Sequence, residues 1–558
     1  MNAEKAYLFR HALLRDAAYQ LQMPGDRARL HALAFVLIEE LAGGRAPETP
    51  VDASGRRSFQ PHPTDAFALD LAEHAGMARN LAEDERRNAD LSDVEGVLGL
   101  YLRRAAEHSE SNSQNEASER LWRQYAEHVT GIERGESLRR AADVANRSGR
   151  PQSAEPLLIE AVAIHREAGN KAALGVALGS LAIVYAQSGK VEQAERILEL
   201  VLAIHRESGD RRREGVALQS MAQLCRETGR VEEAERHLNS GAAILREVGD
   251  RRSLGVALGN LALMYQDTGR VAQSLPFYEQ ALAIHREVGD RRFEGIALGN
   301  LGNLQNETGQ VEQAERTYQQ SLAIHREIGN RRSEGVTLGN LALVYKTTGR
   351  IDQAEQCFEQ ALAINREVGD RRSEAISLGN KANLYRSLGR EEEAERCYEK
   401  ALAMHREVAN RRFVGIVLGN MALMHMDSKR FERAERSFDE AIAVHREVHN
   451  AHFEGIDLGN RGRLYLETGR LEQAERSFEQ ALVIHRKVGN RRFEGMHLCD
   501  LGQLLAIAGQ IDRARETWQD GAAILRELGD TLELQFKSTA MREACARAGV
   551  PPFDAPPR

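Results

Sequence analysis

A string of the form AIHRE begins at Ala163 and returns at Ala203, Ala243, Ala283, Ala323, Ala363, Ala403, Ala443, Val483 and Ala523, always 40 residues further on. No other feature constrains the fold as much. A fixed step without insertion means that every repeat meets its neighbour in one way, so ten repeats over 131–530 must stack as a regular array. The repeat at 331–370 shows what is stacked. RRSEGVTLGNLALVYKTTG and RIDQAEQCFEQALAINREVG each read as a helix. Asn330 stands at the N-cap of the first, as do Asp290, Asp370 and Asn410 in their repeats. Gly349 and Gly369 stand where a helix must stop and turn. Leu338, Leu341, Ala342 and Tyr345 form one apolar stripe, and Ala354, Phe358 and Ala361 another, at 3-and-4 spacing. Neither helix can bury its stripe alone, so the expected fold is an all-α solenoid of stacked helix-turn-helix repeats.

Composition narrows the function. The chain of 558 residues is 42% hydrophobic and 28% charged, with net charge −8, which offers no basic footprint for nucleic acid or anionic lipid. No apolar run approaches the roughly 18 residues of a membrane span, so neither nucleic acid nor membrane is an expected partner. MNAEKAYLFRHALLRDAAYQ is charged throughout and has no apolar signal core. Five cysteines are scattered without a CxxC pair, which fits a reducing cytoplasm and structural thiols.

The residues Leu341, Ala342, Tyr345, Gly349, Ala354, Phe358 and Ala361 resemble the tetratricopeptide repeat pattern, here in a 40-residue version in place of the usual 34. The GN-L-A-x-x-Y and REVGD strings are most similar to Pins-type scaffolds and to kinesin light chains. The resemblance implies a right-handed α-solenoid with the first helices lining a concave groove. Residues 1–130 read differently, as a helical lead-in with degenerate repeats and a loop near 42–66. Phe9, His11, Tyr19, Arg29 and His31 resemble the segment that joins the nucleotide-binding module of bacterial STAND ATPases to their repeats. The chain contains no GxxxxGK[ST] string, so ATPase activity is not implied. A capping helix is expected over 531–547, and a disordered tail over 548–558.

Three side-chain rows recur with the repeat. His165, His205, His285, His325, His405, His445 and His485 lie on the core stripe, roughly 10 Å apart in stacked helices, too far to share a metal. Packing explains them, and no metal is expected. Asn260, Asn300, Asn340, Asn380, Asn420 and Asn460 form a six-rung ladder on the face of Ser333, Val336, Leu343 and Thr347, offset from the core. An amide both donates and accepts, so such a ladder either holds an extended peptide backbone or orders the stack. Six rungs span about 50 Å, roughly 15 extended residues. Arg252, Arg292, Arg332, Arg372 and Arg412, each second in an Arg-Arg pair, sit in a helical first turn where the macrodipole disfavours them. They are expected either to pair with glutamates such as Glu287 or Glu294 or to form a cationic rim for ligand carboxylates. Phe293, Phe413 and Phe453 share the ladder face and could supply apolar pockets.

No nucleophile has a recognisable base and no elbow motif occurs, so neither catalysis nor a cofactor is expected. The expected function is a protein- or peptide-binding scaffold or sensor arm, taking an extended, acidic-containing segment in its groove. The alternatives are the repeat arm of a truncated STAND ATPase and a structural assembly platform. Within the stack, Gly335 and Gly339 predict close helix approach between repeats. Lys381 and Glu391, both exceptions in one repeat, predict a compensating ion pair.

Overall fold

The computed structural model describes residues 23–48, 59–85, 92–112 and 114–553. Phe9, His11 and Tyr19 lie outside the described residues. Helices joined by short turns make up the described chain, and none of the described residues is in a strand. They fall into two compact units, residues 1–145 with 156–170, and residues 146–155 with 171–558.

In the first unit Phe35, Leu71, Tyr101 and Trp122 are buried where the helices Pro24–Leu41, Ala68–Glu85, Ser92–Ser111 and Asn115–His128 meet. The loop expected near 42–66 ends in a short 3-10 helix, Pro63–Phe67, capped by His62. Arg104 ties that loop down. Its buried guanidinium grips Asp65 at 2.7 and 3.0 Å and donates to the carbonyls of Pro47 and Gln60. A buried arginine is tolerated because its donors are so well supplied with acceptors.

The second unit is the regular stack. Each repeat contributes a first helix and a second helix of 17 residues, such as Arg331–Thr347 and Ile351–Glu367. Asp210, Asp250, Asp290, Asn330, Asp370 and Asn490 cap first helices by accepting from the backbone three residues on. Asn410 and Asn450 instead turn toward Nδ1 of His405 and His445. Helices end in a left-handed residue, glycine almost throughout, but Ala409, Lys429 and His449 adopt that conformation at φ 51°, 56° and 53°. Successive first helices pack directly on one another, as Arg331–Thr347 does on Arg371–Ser387. That puts the first helices on the inner side of the curve.

The glycine rows have two separate causes. A Cβ at Gly175, Gly255, Gly295, Gly415 or Gly455 would fall 2.5–2.7 Å from the imidazole of His205, His285, His325, His445 or His485. This approach is within one repeat, between its two helices, and not between repeats. The row of Gly339 does face the following repeat: at Gly419 a Cβ would meet Asp457 at 2.6 Å. Burial disfavours the charged form of His325, His405 and His485, pushing them down to about 4.

Two expectations are corrected. Lys381 does not pair with Glu391. Its Nζ bonds Glu359, on the second helix of the preceding repeat, while Glu391 is exposed and lies 3.9 Å from Arg430. The first-helix side chain at this position points back along the stack, and Arg461 reaches Asp439 in the same way at 2.6 Å. The tail is not free from residue 548. The cap helix runs Thr531–Ala548, and Phe553 is buried against the apolar cluster of Leu505, Trp518 and Met541, with Arg515 5.3 Å from its ring. An aromatic ring covers the apolar edge that the last helix pair would otherwise leave in water.

Candidate functional site: the inner face of the repeat array

The asparagine ladder is built by the first helices, where the 3-and-4 spacing sets one row inward and the next against the second helix. All six side chains are half-buried. Two rungs are tied to the stack: Asn260 donates to Gln219 at 3.2 Å and Asn340 to Asn303 at 3.1 Å, each an acceptor in the preceding repeat. The amides of Asn300, Asn380, Asn420 and Asn460 make no hydrogen bond to any described residue. Four residues before each rung stands an aliphatic side chain: Val256, Ile296, Val336, Ile376, Ile416 and Ile456. Val336 is 47% exposed, and the others are half-buried. Sequence reading noted Val336 but missed the row, whose signal is Val or Ile at a 40-residue period beside, and not within, the core stripe.

The arginines are not gathered on that face with free charges. The first arginine of a pair is held twice where a glutamate follows three residues on, whereas Arg251 and Arg411, followed there by Leu254 and Val414, meet only Glu287 and Glu447. Arg331 meets Glu334 in its own turn and Glu367 on its repeat's second helix, both at 2.6 Å, and Arg291 meets Glu294 and Glu327 likewise. The second arginine depends on the N-cap of the next repeat. Where that residue is aspartate, the two pair: Arg252 with Asp290 at 2.5 Å and Arg332 with Asp370 at 2.6 Å. Where it is asparagine, it offers no charge. Arg372 then donates to Gln187 at 2.8 Å, and Arg412 lies 3.4 Å from Glu227. Arg292 has no ion pair among the described residues, and burial together with Arg147, Arg252 and Arg332 lowers its pKa. Lys346 is lowered too, by burial and by Arg386 on the next first helix. Arg292 was named from the sequence with its row, whereas Lys346 and Arg386 were not, because their position is not uniform from repeat to repeat.

Phe293, Phe413 and Phe453 stack on the buried histidines of the preceding second helix, at ring distances of 5.5, 5.2 and 5.7 Å. They are half-buried at the junction between repeats. The imidazoles of His285 and His445 thus lie between a glycine, Gly255 or Gly415, on one side and a phenylalanine on the other, while the repeat of His405 carries Ala375 in place of that glycine. Among the described residues no group of His, Cys, Asp or Glu is placed to hold a metal ion, and no helix is long and apolar enough to cross a membrane.

A curved all-helical repeat array with a polar ladder along its inner side defines a class of helical-repeat interaction scaffolds. The sequence model of the tetratricopeptide repeat family matches residues 133–207, 174–247, 253–327, 333–407, 413–487 and 456–527. The chain belongs to the tetratricopeptide repeat family, whose members are protein-interaction scaffolds. Its fold is similar to a Rap protein solved in complex with competence and sporulation factor (12% identity, TM-score 0.46, covering 64% of this chain and 99% of that one). Aspartyl phosphate phosphatase F from Bacillus subtilis gives 12% identity and a TM-score of 0.41 over 76% of this chain and 95% of that one. The nearly identical repeats of a putative kinesin light chain from Podospora anserina give 25% identity and a TM-score of 0.29, over 34% and 94%. No curated protein matches the sequence.

Proposed function

We propose that the inner face binds an extended segment of a partner protein, without catalysis or a cofactor, and that the chain works in the cytoplasm as a scaffold or sensor arm. The observation that carries this reading is the set of four ladder amides, Asn300, Asn380, Asn420 and Asn460, half-buried and bonded to no described residue. An amide left open in a concave surface can meet a main-chain N–H and C=O without reading sequence. The neighbouring Val and Ile row supplies apolar contact for alternate side chains. Acidic residues of the ligand would be met at Arg292 and at Lys346, since Arg386 already meets Asp427 at 3.4 Å. Arg252 and Arg332 already hold the protein's own carboxylates, and Arg372 and Arg412 already meet Gln187 and Glu227.

The test separates binding from stacking. Partners are captured from native lysate on the full chain and identified. The triple variant Asn380→Ala, Asn420→Ala, Asn460→Ala should then lose the captured partner with its melting temperature unchanged. The double variant Asn260→Ala, Asn340→Ala removes inter-repeat hydrogen bonds and should lower stability by about 1–2 kcal/mol in all. Undiminished capture by a folded triple variant excludes the ladder as the site.

A further inference from the structure

Within the second unit a set of contacts recurs at a spacing that has nothing to do with neighbouring repeats. The left-handed glycines that end first helices, Gly149, Gly189, Gly229 and Gly269, lie against Val408, Val448, Val488 and Leu528. The point where each glycine's Cβ would stand is 3.2, 3.1, 2.7 and 3.9 Å from those side chains. In every pair the partners are 259 residues apart, about six and a half repeats. A second register accompanies the first. Arg372 donates to Gln187 across 185 residues, and Arg412 meets Glu227 at the same offset. His452 lies in the field of Asp267, and Glu307 in that of Arg492, again 185 residues apart. The same helix ends are therefore used over and over, an apolar tip in a turn without a Cβ and a cation on the last turn of a first helix. The burial pattern follows. Val248 and Val288 are 41% and 39% exposed, whereas Val408 and Val488 at the same repeat position are 4% and 5% exposed.

We infer that this unit is a coil whose successive turns rest on one another through a charged latch, distinct from repeat stacking, which closes the side of the inner groove and parts before the stacking does. The contrast between the two kinds of contact carries the inference. Stacking is continuous apolar packing, with the stripe residues of each repeat, such as Leu338, Leu341, Ala342, Ala354, Phe358 and Ala361, buried. The seam is sparse: one apolar tip per repeat, the hydrogen bond of Arg372 to Gln187, and the ion pair Arg412–Glu227, whose side chains are 38% and 27% exposed. Beside the seam lies a cavity of about 710 Å³, edged on one turn by five glutamates, Glu192, Glu195, Glu232, Glu233 and Glu235, that outnumber Arg230 and Arg270, and on the next by Arg486 and Arg491, which share Glu494, and by Lys487. Facing edges of opposite charge attract across such a gap, and salt screens that attraction. Opening needs only a small rotation at each of about six repeats, so no repeat has to unfold. The second arginines of the Arg-Arg pairs thereby have two roles. Arg252 and Arg332 clamp adjacent repeats, where an aspartate follows, and Arg372 and Arg412 reach the adjacent turn, where an asparagine follows. The latch does not depend on what the groove binds.

Small-angle X-ray scattering of the full chain tests this, at about 0.01 M and about 1 M NaCl, where charges are screened over roughly 30 and 3 Å. The radius of gyration should rise at high salt while the helical circular dichroism stays constant. Glu227→Arg should give the larger radius already at low salt, and Glu227→Arg with Arg412→Glu should restore the smaller one. Carbodiimide should couple Lys487 to residues 231–235 in the wild type at low salt and fail to do so in Glu227→Arg. One radius for all folded proteins at both salts, or a folded swap variant that stays expanded, overturns the latch. A wild type without the Lys487 cross-link at low salt overturns it as well.

Discussion

The repeats over 211–330 and those over 371–530 have the same helix lengths and the same turns, yet their cores differ at one position. The first helices of the earlier group carry Ala217, Ala257 and Ala297 there. The later ones carry Ser377, Asp457 and His497, interrupted by Val417, and the cap helix continues the row with Lys537. Each later polar side chain finds a neighbour: Asn365 donates to Ser377 at 3.2 Å, His445 lies 3.4 Å from Asp457, and His497 lies 3.1 Å from His485. Lys537 donates to Asp500 at 2.7 Å. A solenoid backbone thus tolerates two core chemistries, one apolar and loosely specified, the other polar and mutually dependent. The polar half gains unique pairings but is exposed to pH and to loss of any single partner.

The largest break in this contrast is expected at its end. Lys537→Met leaves Asp500 buried without its cation and should destabilise the last helices by about 3–5 kcal/mol. Urea unfolding and amide exchange of residues 491–548 would register it, and adding Asp500→Asn should recover part of the loss.

Acid comes next. His325, His405 and His485 have folded values pushed down to about 4 against an ordinary value of 6.5. The unfolded chain therefore binds more protons between those limits, and stability falls as pH drops from about 6.5 toward 4, by about 1.4 kcal/mol per pH unit for each histidine. Above 6.5 the effect is absent. Replacing His325 and His405 with leucine, the residue found at 245 and 525, should flatten the stability–pH slope in that window by about 2.8 kcal/mol per unit. An unchanged slope would place the acid sensitivity elsewhere.

Glycine substitutions sharpen the comparison further. At Gly259 no foreign atom lies within 4 Å of an added Cβ, whereas at Gly459 the His497 ring would be 1.9 Å away. Gly259→Ala should stabilise by about 1 kcal/mol through helix propensity. Gly459→Ala should destabilise by about 1–3 kcal/mol through overpacking. Thermal melts of the two variants should move in opposite directions. The smallest effect is expected at His449, which holds a left-handed conformation used elsewhere by glycine. His449→Gly relieves that strain and should change stability by less than about 1 kcal/mol in the favourable direction, read from the denaturation midpoint.

Much of the fold was legible because its signals are local. Asp290 and Asn330 announce helix starts, Gly349 and Gly369 announce stops, and the stripe of Leu338, Leu341, Ala342 and Tyr345 names the buried face. All of these act within a turn or two of the chain. The ladder of asparagines was legible as a row on one face. Which rungs are tied was not, because that depends on whether residue 219 or 303, in the preceding repeat, offers an acceptor. Lys381 shows the same limit. The sequence marks it as unusual, but only packing decides that it reaches back to Glu359 instead of across to Glu391.

By itself the sequence determined the repeat step, the two helices of each repeat, their caps and the stripes that stack them, since each follows from backbone hydrogen bonding and side-chain periodicity over a few residues. The tertiary structure alone decided the curvature, the meeting of Gly189 with Val448 across 259 residues, and the choice of partner for each second arginine. Curvature is the sum of small rotations set by side-chain volumes at every junction. A contact that appears only after six and a half such rotations leaves no mark on any single repeat.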